Sequence, residues 1–139
     1  MQYLHCHLHL VNEHKDTREP DNYNVDLNDI NDVFRYTNET LNVGSFIKPA
    51  LKHNIFSEVI IIDSSYGFEL DIEGEFVLDI DLDIFSKDMD YIPYDIKISR
   101  IKELIDRAKV ITIASSPFFI NQEYAIKVLK ELFNYDIIE

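Results

Sequence analysis

Phe76-Val77-Leu78-Asp79-Ile80-Asp81-Leu82-Asp83 decides how this chain is read. An apolar run passes directly into three acids at every second position, the period at which side chains fall on one side of a strand. Like charges that close repel one another and are costly to take out of water, so a cation is expected among them. A metal ion is the simplest choice, and an exposed acidic edge strand is the plain alternative. The apolar flanks Phe76, Val77, Leu78, Ile84 and Phe85 argue against full exposure.

Outward from this stretch, the hydrophobic pattern alternates between strand and helix. Val59-Ile60-Ile61-Ile62 is a short β-branched run suited to a central strand of a parallel sheet covered on both faces, and Val110-Ile111-Thr112-Ile113-Ala114 reads as another buried strand. Leu4 to Leu10 alternates with His5, His7 and His9, again a strand period. Phe68-Glu69-Leu70-Asp71-Ile72 also alternates, and with a turn at Glu73-Gly74 it predicts a hairpin leading into the acid triplet. Leu27, Ile30, Val33 and Phe34 predict an amphipathic helix from Asp26 to about Tyr36. A second helix is expected from Gly44 to His53, with Pro49 in its first turn or kinking it. Ile98, Ile101, Leu104, Ile105 and Ala108 mark a helix over 95–108, and Ala125 to Phe133 mark the last one. Asn12 to Asn24 and Asp83 to Tyr94 read as loops. The expectation is one α/β domain over 1–139 with a mostly parallel sheet.

Composition narrows the functional classes. The chain has 139 residues, 46% hydrophobic, enough for one sizeable core. Its three glycines, Gly44, Gly67 and Gly74, leave no phosphate-cradling loop. A formal net charge of -13 disfavours nucleic acid and anionic membranes as partners and suits cations or a basic substrate. Cys6 is the single cysteine, so no internal disulfide or thiolate cluster forms, which fits a reducing, cytoplasmic setting. No apolar run is long enough to span a membrane, and Met1 to His5 lacks the signature of a signal peptide.

In open parallel sheets, ligands bind beyond the carboxyl ends of the strands. Asn12-Glu13-His14-Lys15-Asp16 follows the first strand, the acid triplet ends another, and Ser115-Ser116-Pro117 follows a third. If the first two strands are neighbours, His14, Asp16 and the triplet meet on one edge. A histidine with several carboxylates suits Mn²⁺, and less distinctively Zn²⁺ or Fe²⁺. His5, His7 and His9 read more simply as a partly exposed, edge-like strand face. Cys6 reads as core filler and His53 as a helix-end residue. The two serines read as loop-shaping residues that cap the final helix region.

Val11-Asn12-Glu13-His14-Lys15-Asp16 resembles the Asp-x-His-x-Asp motif of arginase-fold metallohydrolases, and Val77-Leu78-Asp79-Ile80-Asp81 resembles their Asp-x-Asp motif. With Gly44 to Leu51 and Ile111 to Ile120 in the same order, the chain is similar to the branch that includes peptide arginases. The resemblance implies a three-layer arginase-like fold and a Mn²⁺ centre of one or two ions. A metal-activated hydroxide would attack the guanidinium carbon of a guanidino compound or an arginine-containing peptide, releasing urea. Carried over by position, His14 and Asp16 are ligands, Asp79 bridges and Asp81 binds one ion, with Asp83 as the alternative register. Asn12 stands where the family places a bridging aspartate, and the family's earlier strand with its histidine has no counterpart after Met1. The resemblance thus also implies an N-terminally shortened member lacking the first strand unit. Its metal site is damaged, and a homo-oligomer or partner chain would complete the sheet. A catalytically impaired metal- or guanidino-binding relative, or a non-functional gene fragment, is the alternative it leaves.

Overall fold

The computed structural model describes residues 7–11 and 16–134, with side chains from residue 16 onward. Four strands, β1 (His7–Val11), β2 (Glu58–Ile62), β3 (Phe76–Asp81) and β4 (Val110–Ala114), form one sheet in the order β2-β1-β3-β4. All three pairings are parallel. Five helices connect and cover them: α1 (Ile30–Arg35), α2 (Ile47–Lys52), α3 (Ser65–Glu69), α4 (Tyr94–Arg107) and α5 (Gln122–Phe133). The α/β class with a parallel sheet is therefore as the sequence implies.

Alternation along the strands separates two apolar clusters. Ile60 and Ile62 of β2 and Phe76, Leu78 and Ile80 of β3 join Ile98, Ile101 and Leu104 of α4 and Ala125, Val128 and Leu132 of α5. Val59, Ile61 and Val77 instead meet Ile47 and Leu51 of α2. The sheet thus carries α4 and α5 on one face and α2 on the other, as parallel strands require. The connection from β1 to β2 carries α2, whereas that from β3 to β4 carries α4. The strand order reverses between β1 and β3, with β2 added on one side of β1 and β3 and β4 on the other, which opens a crevice beyond their carboxyl ends.

Several local expectations change. No hairpin precedes β3: residues 65–69 form α3, capped by the Ser64 hydroxyl accepting from the Gly67 N–H at 3.1 Å. A Cβ on Gly67 would sit 3.1 Å from Ile62 Cα, so a larger residue here would push this helix a few tenths of an ångström off β2. The next turn is held away from strand pairing because Arg100 and Arg107 of α4 donate to the Leu70 and Ile72 carbonyls. α1 covers a shorter span than its pattern suggests, passes into a wider helical turn over Tyr36–Thr40, and buries none of its residues. Ile30 and Phe34 remain 81% and 69% exposed, so the apolar stripe does not enter the core. The histidine strand is not an edge, since β1 lies between β2 and β3; His5 and Cys6 lie outside the described residues.

Other expectations hold. Pro49 sits in the first turn of α2, and His53 caps its end, with Nε2 3.0 Å from the Tyr23 carbonyl. Among the described residues no helix is long and apolar enough to cross a membrane.

The segment after β3 is tied down from beneath. Lys97 of α4 is 2% exposed, and its ammonium donates to the carbonyls of Ile84 (3.1 Å) and Met89 (3.0 Å) while lying over the Phe85 ring. Burial lowers its pKa, and the charge of Asp90 acts the other way. Lys97→Met would leave the buried Ile84 carbonyl without its donor, whereas the Met89 carbonyl keeps the Ile92 N–H at 3.2 Å. The change is expected to cost about 1–3 kcal/mol. Urea denaturation checks this, and a variant as stable as the parent would show that the Ile84 carbonyl finds another donor.

Candidate functional site

Asp79 and Asp81 project from the same side of β3, opposite Leu78 and Ile80, at the crevice between β1 and β3. Asp83 does not continue this row. β3 ends at Asp81, and Leu82–Phe85 turns as a short 3-10 helix in which Asp83 is fully buried. Asp81 caps that turn by accepting from the Asp83 N–H at 3.3 Å, which binds the acid row to the start of the next loop.

Two hydroxyls from the neighbouring strand and its loop reach these carboxylates. Register places Thr112 beside Asp79 and Ala114 beside Asp81. The Thr112 hydroxyl donates to Asp79 Oδ1 at 2.5 Å, and the Ser116 hydroxyl donates to Asp81 Oδ1. Ser116 therefore belongs to the site, and Asn121, not the serine pair, caps α5 by accepting from the Tyr124 N–H at 3.1 Å. Neither role of Thr112 or Ser116 is visible in local sequence. The parallel register of β3 against β4 is the signal that would have found Thr112.

Asp16 completes the group from the loop after β1, its negative charge acting on Asp81. That loop is pinned at several points: the Arg18 N–H donates to the Gly44 carbonyl at 2.8 Å, and Lys48 of α2 pairs with Glu19 at 2.5 Å. Lys52 lies over the Tyr23 ring, 4.1 Å from its centre. Asp16 and Ser116 both adopt left-handed backbone conformations, with φ of 42° and 46°. Such conformations are uncommon for residues other than glycine and tend to gather where the surroundings fix a side chain for use. Here they fall on two residues acting on one carboxylate.

The electrostatic consequence concentrates on Asp81. Burial raises its pKa first, the charge of Asp83 next, and those of Asp16 and Asp79 add to it, against the opposing Asp83 N–H; the result is about 7. Burial also raises Asp79, while the Thr112 hydroxyl pulls it back. Of the sequence-derived ligands, the structure brings Asp16, Asp79, Asp81 and Asp83 together. Asn12 and His14 lie outside the described residues. Among the described residues no three His, Cys, Asp or Glu side chains stand in an arrangement that would hold a metal ion.

Beside this row, an open cleft of about 510 Å³ lies between the loops after β3 and β4, with Phe85, Asp88, Asp90, Phe119, Asn121 and Tyr124 in its walls. The acid row does not line it. The Tyr124 hydroxyl is raised by burial, then by the charges of Asp90 and Glu131. Lys87 also lines the cleft but is outnumbered by Asp88 and Asp90, so the walls are net acidic and aromatic, a setting that favours an organic cation. Comparison with protein-family models, with characterised proteins and with solved structures finds no match for the chain.

The sign of the pH effect follows from the raised pKa. The folded state holds a proton on Asp81 that the unfolded chain releases near pH 4, so stability is highest below that value and is lost as pH rises through about 7. Asp79 acts in the same direction. For a half-exposed group the loss is screened to roughly 1–2 kcal/mol. In metal-free buffer, Asp81→Asn should melt several degrees higher than the parent at pH 7.5, with the difference shrinking steadily as pH falls toward about 4. Identical pH slopes for the two proteins would remove Asp81 as the source.

Proposed function

We propose that this chain is an arginase-like metallohydrolase of the peptide arginase type. It would bind Mn²⁺ at the acid row and act on the guanidino group of a small compound or an arginine-containing peptide. The observation that carries the reading is the position of Asp79 and Asp81: half-buried carboxylates at the reversal point of a parallel sheet, with Asp16 and Asp83 beside them and, among the described residues, hydroxyl and amide donors on Asp79 and Asp81. The finer three-layer arginase architecture belongs to the same proposal.

The residues fit the group in donor chemistry. Several hard carboxylate oxygens suit Mn²⁺ better than softer metals, and a cation would remove the mutual repulsion that raises Asp81. Asp16, Asp79 and Asp81 would hold it, with His14 and Asn12 contributing from the loop after β1. When bound, such an ion acidifies water and supplies hydroxide near neutral pH. The chain's own side chains do the rest. Thr112 orients Asp79 and Ser116 orients Asp81. Asp88, Asp90 and the Tyr124 ring would draw a guanidinium or ammonium group into the adjoining cleft.

Asn12 favours a second reading, a relative that binds metal or ligand without turnover. An amide offers one neutral oxygen where a bridging carboxylate would supply negative charge to two ions.

Calorimetric titration with Mn²⁺ separates these outcomes. The parent chain should bind, Asp79→Asn and His14→Ala should each abolish binding, and Asn12→Asp should bind at least tenfold more tightly. Stoichiometric metal in both Asp79→Asn and His14→Ala would refute the ligand assignment. Urea release from an arginine-containing peptide in the presence of Mn²⁺ then distinguishes a hydrolase from a binding relative.

A further inference from the structure

The segment from Gly44 to His53 joins two parts of the molecule. Its inward side is apolar: Ile47 is fully buried and, with Leu51 one turn on, packs against Val59, Ile61 and Val77 of the sheet. Ser45, also fully buried, fixes the entry to α2, its hydroxyl accepting from the Asn42 N–H at 3.0 Å. The sheet therefore sets where this segment lies.

The other side is polar and grips residues 18–23 of the loop after β1. The Gly44 carbonyl accepts from the Arg18 N–H at 2.8 Å, and the Arg18 stem runs over Gly44, where a Cβ would stand 3.1 Å from its Cδ. Lys48 pairs with Glu19 at 2.5 Å, and Glu19 also accepts from the Tyr23 hydroxyl. Lys52 lies over the Tyr23 ring, and His53 Nε2 is 3.0 Å from the Tyr23 carbonyl. The Tyr36 hydroxyl, from the turn after α1, donates to the Asn22 carbonyl at 2.7 Å. Lys48 and Lys52, four residues apart, share one face of α2, as Ile47 and Leu51 share the next.

The Lys48 and Glu19 side chains are 38% and 64% exposed, and a pair this open adds little to global stability. What it fixes is the piece of chain that follows Asp16. That residue holds a left-handed backbone, φ 42°, which persists only where the surroundings impose it.

We propose that Gly44–His53 is a clamp that positions Asp16 against Asp81, with Lys48 and Glu19 as positioning residues for the acid row. The proposal rests on the reading of that row as a metal site in which Asp16 is a ligand. A ligand carried on a loop weakens binding by whatever order the ion must impose on the loop. Fastening the loop to a helix that is itself seated on the sheet supplies that order before the ion arrives.

Charge reversal in the full chain tests the clamp. Lys48→Glu sets two carboxylates against each other and should weaken Mn²⁺ binding at least about threefold in calorimetric titration. The sign separates positioning from bulk charge, because added negative charge alone draws a cation in and tightens binding. Lys127→Glu, the same change on an exposed site of α5, should therefore not weaken it. Lys48→Arg keeps the pair and should stay within about twofold of the parent. Hydrogen exchange gives a readout that needs no metal: in Lys48→Glu the Arg18 amide should exchange at least about threefold faster, with the amides of β3 and α4 unchanged. Unchanged or tighter Mn²⁺ binding in Lys48→Glu overturns the proposal, as does equal weakening in Lys127→Glu. So does an Arg18 amide indifferent to Lys48. A parent that takes up no Mn²⁺ refutes the metal reading instead, and the Arg18 amide then decides the clamp.

Discussion

Parallel pairing is the constraint from which the rest of this molecule follows. A parallel neighbour can be reached only by carrying the chain back over one face of the sheet, so each connection must choose a face. Here the choice changes between β1 and β3. α2 returns the chain toward β2 over one face, and α4 returns it toward β4 over the other. The loops leaving β1 and β3 part company at the carboxyl edge, and polar side chains there need not fill a core. Asp16, Asp79 and Asp81 belong to this parting, and Ser116 reaches it from the loop after β4.

Much of this framework could be read from residues alone, and where it could not the reason is physical. The runs Val59–Ile62, Phe76–Leu82 and Val110–Ala114 announce strands by composition, but the two β-branched runs read as covered strands are the sheet's edges, and β4 is largely exposed because no strand lies beyond it among the described residues. α4 and α5 carry long periodic apolar faces. Phe68 to Ile72 has a strand's alternation, but the choice there is made by tertiary partners: a serine cap, a glycine against β2, and two arginines reaching across from α4. Ile30 and Phe34 have the spacing of a buried stripe yet face outward, because periodicity reports what a helix could bury and not whether a surface is there to receive it.

The candidate site divides in the same way. Its acids were legible because like charges at period two are a local pattern that demands an explanation. Its hydroxyls were not, because Thr112 and Ser116 acquire meaning only once β4 is in register with β3. A serine next to a proline in a loop has an ordinary local role, and the left-handed backbone that turns Ser116 toward Asp81 is set by its surroundings. Two neutral donors then stabilise the carboxylates only in part. Asp81 remains poised near neutrality, a state that a cation or a proton could each resolve.

The central position of β1 bears on how the chain reaches this state in time. Its two partners lie roughly fifty and seventy residues further along the sequence. As the polypeptide is made, β1 emerges well before either neighbour exists, and its backbone groups wait on water until both arrive. Loop closure over such distances must precede any gain from pairing, which places the chain among slow, topology-limited folders. During that interval the uncharged 110–122 stretch has not yet been made, so it appears only after the strand it pairs with.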